Sequence, residues 1–233
     1  MKVGHAGTLD PFATGLLLVL LGRATRVQRF LMALPKTYEV TARFGATSST
    51  GDPEGKILET GVVPQGDLEP PTGRIRQHPP AYSAVKIGGR RAYKLARAGE
   101  AVDLPEREVE VYRFAERWRE DDRRGFEIEC SSGTYIRSLI ADLGDAYCEE
   151  LRRTRIGPFD VGAADPERVV DLNDALAFLP GVELDAEQAA AASNGRRVPG
   201  SASAVVRLID ADGLIALAEP REGELLKPVV VLR

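Results

Sequence analysis

The residues best suited to chemistry lie in the stretch Gly4-His5-Ala6-Gly7-Thr8-Leu9-Asp10-Pro11, with Ala13-Thr14-Gly15 just behind it. One acid, Asp10, has two glycines before it and one after. Pro11 pushes Asp10 out of the α region towards extended backbone. Gly7 can take positive φ, and Gly4 or Gly15 lets another backbone come close. Such a loop aims a carboxylate at a cleft, where it can serve as a nucleophile. The same residues also suit a plain polar turn, because Asp is a common turn former.

Two further stretches stand out. From Arg74 to Arg97 there are seven basic residues (Arg74, Arg76, Lys86, Arg90, Arg91, Lys94, Arg97) and no acid, with Tyr82 and Tyr93 among them. A local basic arm on an acidic chain suits a phosphate backbone, and it also suits a solvated helix face. In Ser131-Ser132-Gly133-Thr134-Tyr135-Ile136-Arg137, Arg137 sits where a strand and turn pass into a helix. Its planar fork either faces solvent or pairs with a buried carboxylate.

The elements that must position these residues follow from periodicity. Leu16 to Leu21 reads as a short helix running into a buried strand, ended by Gly22. Val27, Phe30, Leu31 and Leu34 mark an amphipathic helix of about three turns, closed by Pro35. Tyr38, Val40, Ala42 and Phe44 share one face of a strand. Residues 45–55 read as a polar loop with its turn at Gly51-Asp52-Pro53, and residues 61–80 as stiff and extended. Val109 and Val111, and then Phe126, Ile128 and Cys130, alternate as one-sided antiparallel strands. Ile136, Leu139, Ile140 and Leu143 fall on one helix face, and Leu151 to Arg155 is a second basic cluster. Asp185 with Gln188 suits a capping box, Asn194 to Ala204 is linker-like, and Asp212-Gly213 signals a hairpin followed by a strand at 229–232. The fold class expected is α+β: a mixed, mainly antiparallel sheet flanked by helices and loops over residues 1–180, and a small β module over 181–233.

Composition narrows the field. The chain has 233 residues, 43% hydrophobic and 28% charged, with a net charge of −4, which is ordinary for a globular protein. Its longest apolar run is far below the about 20 residues that span a bilayer. No basic region followed by an apolar core marks a signal peptide. Cys130 and Cys148 suit buried thiols in a reducing compartment, hence the cytoplasm. His5 and His78 are too few for a His-rich metal site, and no ligand cluster has metal spacing, so neither metal nor cofactor is expected.

Taken together and in order, several stretches resemble the TruB family of tRNA pseudouridine-55 synthases. Residues 4–11 resemble the catalytic-aspartate motif, Lys36-Thr37-Tyr38 the tyrosine motif, and residues 77–86 the start of an RNA-gripping thumb spanning about 74–99. Residues 132–137 resemble the third active-site motif, followed by Leu151-Arg152-Arg153-Thr154. The tail resembles a PUA-like RNA-binding module. Family members carry a further strand with a Lys-Pro-x-Gly-x-Thr-Ser motif, whereas this sequence opens six residues upstream of Gly7. The segment between Gly61 and Gly73 is also short for the family.

The resemblance implies a cofactor-free isomerisation of a tRNA uridine in the T-arm by a monomeric enzyme. Asp10 would meet the electron-poor C1′ of the ribose. Arg137 would keep Asp10 ionised where water is excluded. Tyr38 would offer a stacking face and a proton relay. Tyr135 would line the pocket, Leu151 would form its apolar wall, and His5 would fill the gap left by a flipped base. Gly7, Thr8, Leu9, Tyr82 and Lys86 would contact the substrate. Two rivals share this surface: a non-catalytic tRNA-binding protein or RNA chaperone, and a guide-RNA-dependent pseudouridine synthase subunit, whose usual long basic extensions are missing here. Aspartyl phosphoryl transfer would want a second acid for Mg²⁺ near Asp10, and residues 11–15 supply none. A serine hydrolase would want G-x-S-x-G, which Ser131-Ser132-Gly133 is not.

Overall fold

The computed structural model describes residues 1–80, 82, 83, 85–100, 102 and 104–233, and at 86, 87, 93 and 97 the backbone only. Its strands open with β1 (Val3–His5), β2 (Thr14–Gly15), β3 (Val19–Leu21), β4 (Lys36–Phe44), β5 (Ala46–Ser48) and β6 (Ile57–Glu59). They continue with β7 (Gly73–Gln77), β8 (Lys86–Ile87), β9 (Arg90–Arg91), β10 (Arg107–Glu120), β11 (Arg123–Cys130), β12 (Ala146–Ile156) and β13 (Phe159–Asp160). The last are β14 (Gly181–Glu183), β15 (Val198–Pro199), β16 (Val206–Asp210), β17 (Gly213–Arg221) and β18 (Leu225–Val231). The helices are short: α1 (Gln28–Met32), α2 (Ala92–Arg97), α3 (Ile136–Ala141), α4 (Leu172–Ala175) and α5 (Ala186–Ser193).

Contacts divide the chain into two compact units, one of Gly7–Leu17 with Leu31–Ala164, the other of Met1–Ala6, Leu18–Phe30 and Asp165–Arg233. The first is built on a seven-stranded sheet in the order β13-β12-β4-β11-β10-β7, with β2 pairing β12 in parallel and the other ladders antiparallel. One face of β4 carries Val40, Ala42 and Phe44 into the core, with Tyr38 packed against its rim. Ile136, Leu139 and Ile140 of α3 seal that face, as their helical spacing predicts. Phe114 and Phe126 meet edge-on at 5.3 Å across β10 and β11.

In the second unit, β14-β16-β17-β18-β15 form a five-stranded sheet under α5. The capping box is present: Asp185 accepts from the Gln188 amide and Gln188 from the Asp185 amide. The β16–β17 hairpin signalled by Asp212-Gly213 is present, with its two-residue turn one position earlier, at Ala211-Asp212, so that Asp210 pairs with Gly213. This unit also takes in the antiparallel pair β1 and β3.

Three expectations change. Leu16 to Leu21 holds no helix; its end is β3, paired to β1, and an apolar run of this length reads equally as helix or strand. The helix expected over 27–34 is a 3₁₀ turn at Gly22–Val27 followed by the five residues of α1. The polar loop 45–55 contains β5, which pairs with β6, and keeps its turn at Gly51-Asp52-Pro53.

Candidate active site

The Asp10 loop is held by backbone geometry that glycine permits. Gly7 has φ +105° and Gly15 φ +99°. A Cβ on Gly15 would stand 2.2 Å from the Arg153 carbonyl oxygen, so only glycine lets β2 lie against β12 there. The Leu16 amide donates to the same carbonyl at 2.8 Å, and the Ala13 amide closes a tight turn onto the Asp10 carbonyl at 3.0 Å. The Asp10 side chain, 35% exposed, is thus presented at the surface of the sheet unit.

Arg137, the second residue of α3, reaches this carboxylate. Its side chain is 3% exposed, and its Nε donates to Asp10 Oδ2 at 2.9 Å. Nη1 donates to the Thr50 carbonyl at 2.6 Å and to Asp52 Oδ2 at 3.1 Å, and Nη2 to the Tyr82 carbonyl at 2.9 Å. Among the described residues four of the five guanidinium N–H donors are thus taken, as suits a buried charge. Asp52 is fixed in turn, its Oδ1 accepting from Thr50 Oγ1 at 2.5 Å and from the Glu54 amide at 3.1 Å. Burial raises the pKa of the Asp10 carboxyl above its usual range; Arg137 opposes the rise and Asp52 adds to it.

The other expected residues are placed as follows. Tyr38 is partly buried on β4; burial pushes its phenol up to about 12, the Cys130 thiolate adds to this, and the Arg153 charge draws it down. The Tyr135 ring lies 5.5 Å from the Arg107 guanidinium. Its backbone is gripped by Gln77, whose Nε2 donates to the Tyr135 carbonyl at 2.9 Å and whose Oε1 accepts from its amide at 2.8 Å. Leu151 is buried in the sheet core. Tyr82 meets Arg137 through its carbonyl. Gly7 and Thr8 give their carbonyls to Arg153. Leu9 is half-buried, and His5 is an exposed residue of β1, in the other unit. The Lys86 side chain lies outside the described residues. A cleft of about 670 Å³ is lined by Phe12 and Thr14 of the loop, Leu151 and Arg152 of β12, and Phe126 and Trp118, among others; Asp10 and Arg137 are not in its lining.

Three residues escaped the sequence reading: Asp52, Gln77 and Arg153. Asp52 had a signal, because Gly51-Asp52-Pro53 repeats the Asp-Pro step of Asp10-Pro11. Among the described residues no group of three or more His, Cys, Asp or Glu side chains could hold a metal ion.

The profile of the TruB family pseudouridylate synthase (N terminal domain) matches residues 1–136. The chain belongs to the TruB family. A curated TruB-family relative, the tRNA pseudouridine synthase B of Mycobacterium tuberculosis (strain ATCC 25618 / H37Rv), is 42% identical over 260 residues, covering 100% of this chain and 87% of that protein. The tRNA pseudouridine synthase B of Thermobifida fusca (strain YX) is also 42% identical, covering 99% and 88%. Among solved structures, a Cbf5-Nop10-Gar1 complex superposes with a TM-score of 0.66 at 26% identity, covering 100% of this chain and 77% of that chain. An H/ACA RNP bound to a substrate RNA containing 2′-deoxyuridine does so with 0.67 at 23%, with the same coverage, which supports the mixed, mainly antiparallel TruB-family fold.

Proposed function

We propose that this chain is a tRNA pseudouridine synthase, an isomerase whose target is uridine-55 in the T-arm. The observation that carries the reading is the ion pair between Asp10 and the buried Arg137, in a chain 42% identical along its whole length to tRNA pseudouridine synthase B. The reaction breaks the N1–C1′ bond, rotates the base and forms C5–C1′. N1 gains a proton and C5 loses one, so the balance is an isomerisation with no oxidant or cofactor.

Asp10 meets C1′ as its bond to the base breaks, by covalent attachment or by stabilising positive charge. That role needs the carboxylate ionised, and Arg137 opposes the effect of burial on it. Flipping the uridine out of its stack costs a few kcal/mol. Stacking on Tyr38 offsets about 1–3 kcal/mol of this. Tyr38 also relays the proton, while Tyr135 and Leu151 border the base. His5 fills the vacated stack, and the loop residues Gly7, Thr8 and Leu9 contact the ribose side. The basic segment 74–99, with Tyr82 and Lys86, holds the backbone, and residues 181–233 act as a PUA-like RNA-binding module. The enzyme works as a cytoplasmic monomer, with no metal.

The test is release of tritium from tRNA carrying [5-³H]uridine, because that hydrogen leaves only if C5 becomes the point of attachment. Release without added guide RNA is expected from this chain. Binding of tRNA without release would leave a non-catalytic RNA-binding protein.

A further inference from the structure

Arg153 is among the most completely buried side chains, at 1% exposed, yet among the described residues no carboxylate lies within ion-pair distance of it. A buried cation with no anion costs stability unless its donors are well used. Here they converge on one loop. Nε donates to the Leu16 carbonyl at 2.8 Å, Nη2 to the Gly7 carbonyl at 3.2 Å and Nη1 to the Thr8 carbonyl at 3.3 Å. These acceptors lie on both sides of Asp10. The Arg153 backbone holds the same loop, through the Leu16 amide and the close approach of Gly15.

We infer that Arg153 is the positioning residue of the Asp10 loop: its fork ties the backbone before and after Asp10 to β12 and so sets where the carboxylate stands. The inference rests on the synthase reading above. The cation also acts on two neighbours. It contributes, after burial, to depressing Lys36 to about 8, and it draws the Tyr38 phenol down. It therefore touches the candidate acid through its loop and the candidate relay through its charge. A Lys at this position keeps the charge, but a single ammonium cannot span carbonyls on both sides of the loop.

The experiment compares wild type, Arg153→Lys and Arg153→Met in full-length protein. Arg153→Lys is expected to slow single-turnover tritium release at least tenfold, while tRNA Kd stays within twofold. Hydrogen exchange in peptides covering residues 7–17 should speed up at least tenfold, with α3 unchanged. Arg153→Met should loosen the loop equally with a Tm close to wild type, because loss of the buried charge offsets the three carbonyls left without their donor. Wild-type rates and loop exchange in Arg153→Lys would overturn the inference. So would a parallel fall of rate, affinity and Tm, or loss of cooperative unfolding in both variants, since either makes Arg153 a structural residue only. If wild type itself released no tritium, the synthase reading would fail, and exchange in residues 7–17 would still decide what Arg153 holds.

Discussion

Arg137 Nε stands 2.9 Å from Asp10 Oδ2, across 127 positions of sequence, and the same guanidinium holds Asp52 on its other edge. One cation thus serves two carboxylates in unequal surroundings. Asp52 is 5% exposed and satisfied by Thr50 and the Glu54 amide, whereas among the described residues Asp10 has only Arg137 as its side-chain partner and opens to solvent. This places Asp10, the carboxylate proposed to react, at the open end of a hydrogen-bonded chain that runs through Arg137 to Asp52.

Asp10→Asn is expected to abolish tritium release without lowering stability at pH 7. The Asp10 pKa is raised in the folded state, so between its ordinary value of 3.8 and the raised one the folded chain binds more protons than the unfolded. Stability then falls as pH rises through that window, and the ionised Asp10 is a net cost at neutral pH. Removing it should raise stability by less than about 1 kcal/mol, since the group is partly exposed. Thermal melts at pH 7 and pH 3 check this: the advantage of Asp10→Asn should shrink at pH 3. A clear drop in Tm at pH 7 would contradict it.

Asp52→Asn tests the second carboxylate. It removes a charge that raises the Asp10 pKa, so the acid limb of kcat/KM should move to lower pH. Breaking one side of a buried ion pair also costs about 3–5 kcal/mol. Tm should therefore fall by roughly 10 °C in a chain of this size. The profile is best measured at 20 °C, below the about 45–65 °C at which mesophile domains melt even after such a drop. An acid limb that stays put or moves up would show that Asp52 does not act on Asp10.

The sequence carried part of this site and hid the rest, for identifiable reasons. Asp10 was legible because glycines and a proline constrain its loop, and Arg137 because it opens a helix with a clear apolar face. The strands around Val40, Val111 and Ile128 were legible from alternation. Arg153 read as one member of a basic cluster with Arg152 and Arg155, which the structure leaves exposed while it buries Arg153. The clue was its place two residues from Leu151 on a strand, which puts both on the buried face. Asp52 read as a turn residue, and its partner Arg137 is 85 positions away. β1 and β3 have three residues each and show no periodicity; their pairing is a tertiary contact.

Gln77 joins the foot of the basic segment to α3. It is 3% exposed and makes both of its hydrogen bonds to the Tyr135 backbone, while Ser138 Oγ donates to the His78 carbonyl at 3.2 Å beside it. Gln77→Leu keeps the volume but leaves the Tyr135 amide without its acceptor, at roughly 1–3 kcal/mol, while the Tyr135 carbonyl keeps the Leu139 amide at 3.2 Å. The expected result is a clear loss in denaturant midpoint together with a several-fold rise in KM for tRNA. The rise follows because Tyr135 and the root of the segment shift together. An unchanged midpoint would mean that water replaces the side chain without cost.

Lys36 offers a pH test independent of catalysis. It is 6% exposed, and its ammonium donates to the Met32 and Leu34 carbonyls. Burial first, and the Arg153 charge second, lower its pKa from 10.5 to about 8. Between those values the unfolded chain holds a proton that the folded chain has lost, so this residue makes stability rise with pH, by at most roughly 3 kcal/mol. Cys130 acts in the opposite sense, because burial raises it from 9.0 to about 11 and stability then falls with pH above 9.0. Measured alone, wild type would show a mixture of the two. The difference between wild type and Lys36→Met removes most of the Cys130 contribution and leaves that of Lys36 with its coupling to Cys130. Lys36→Met should be the more stable at pH 7, and its advantage should shrink steadily towards pH 9.5 in urea titrations at fixed ionic strength. A difference that stays flat over that range would mean that the two carbonyls hold Lys36 charged throughout.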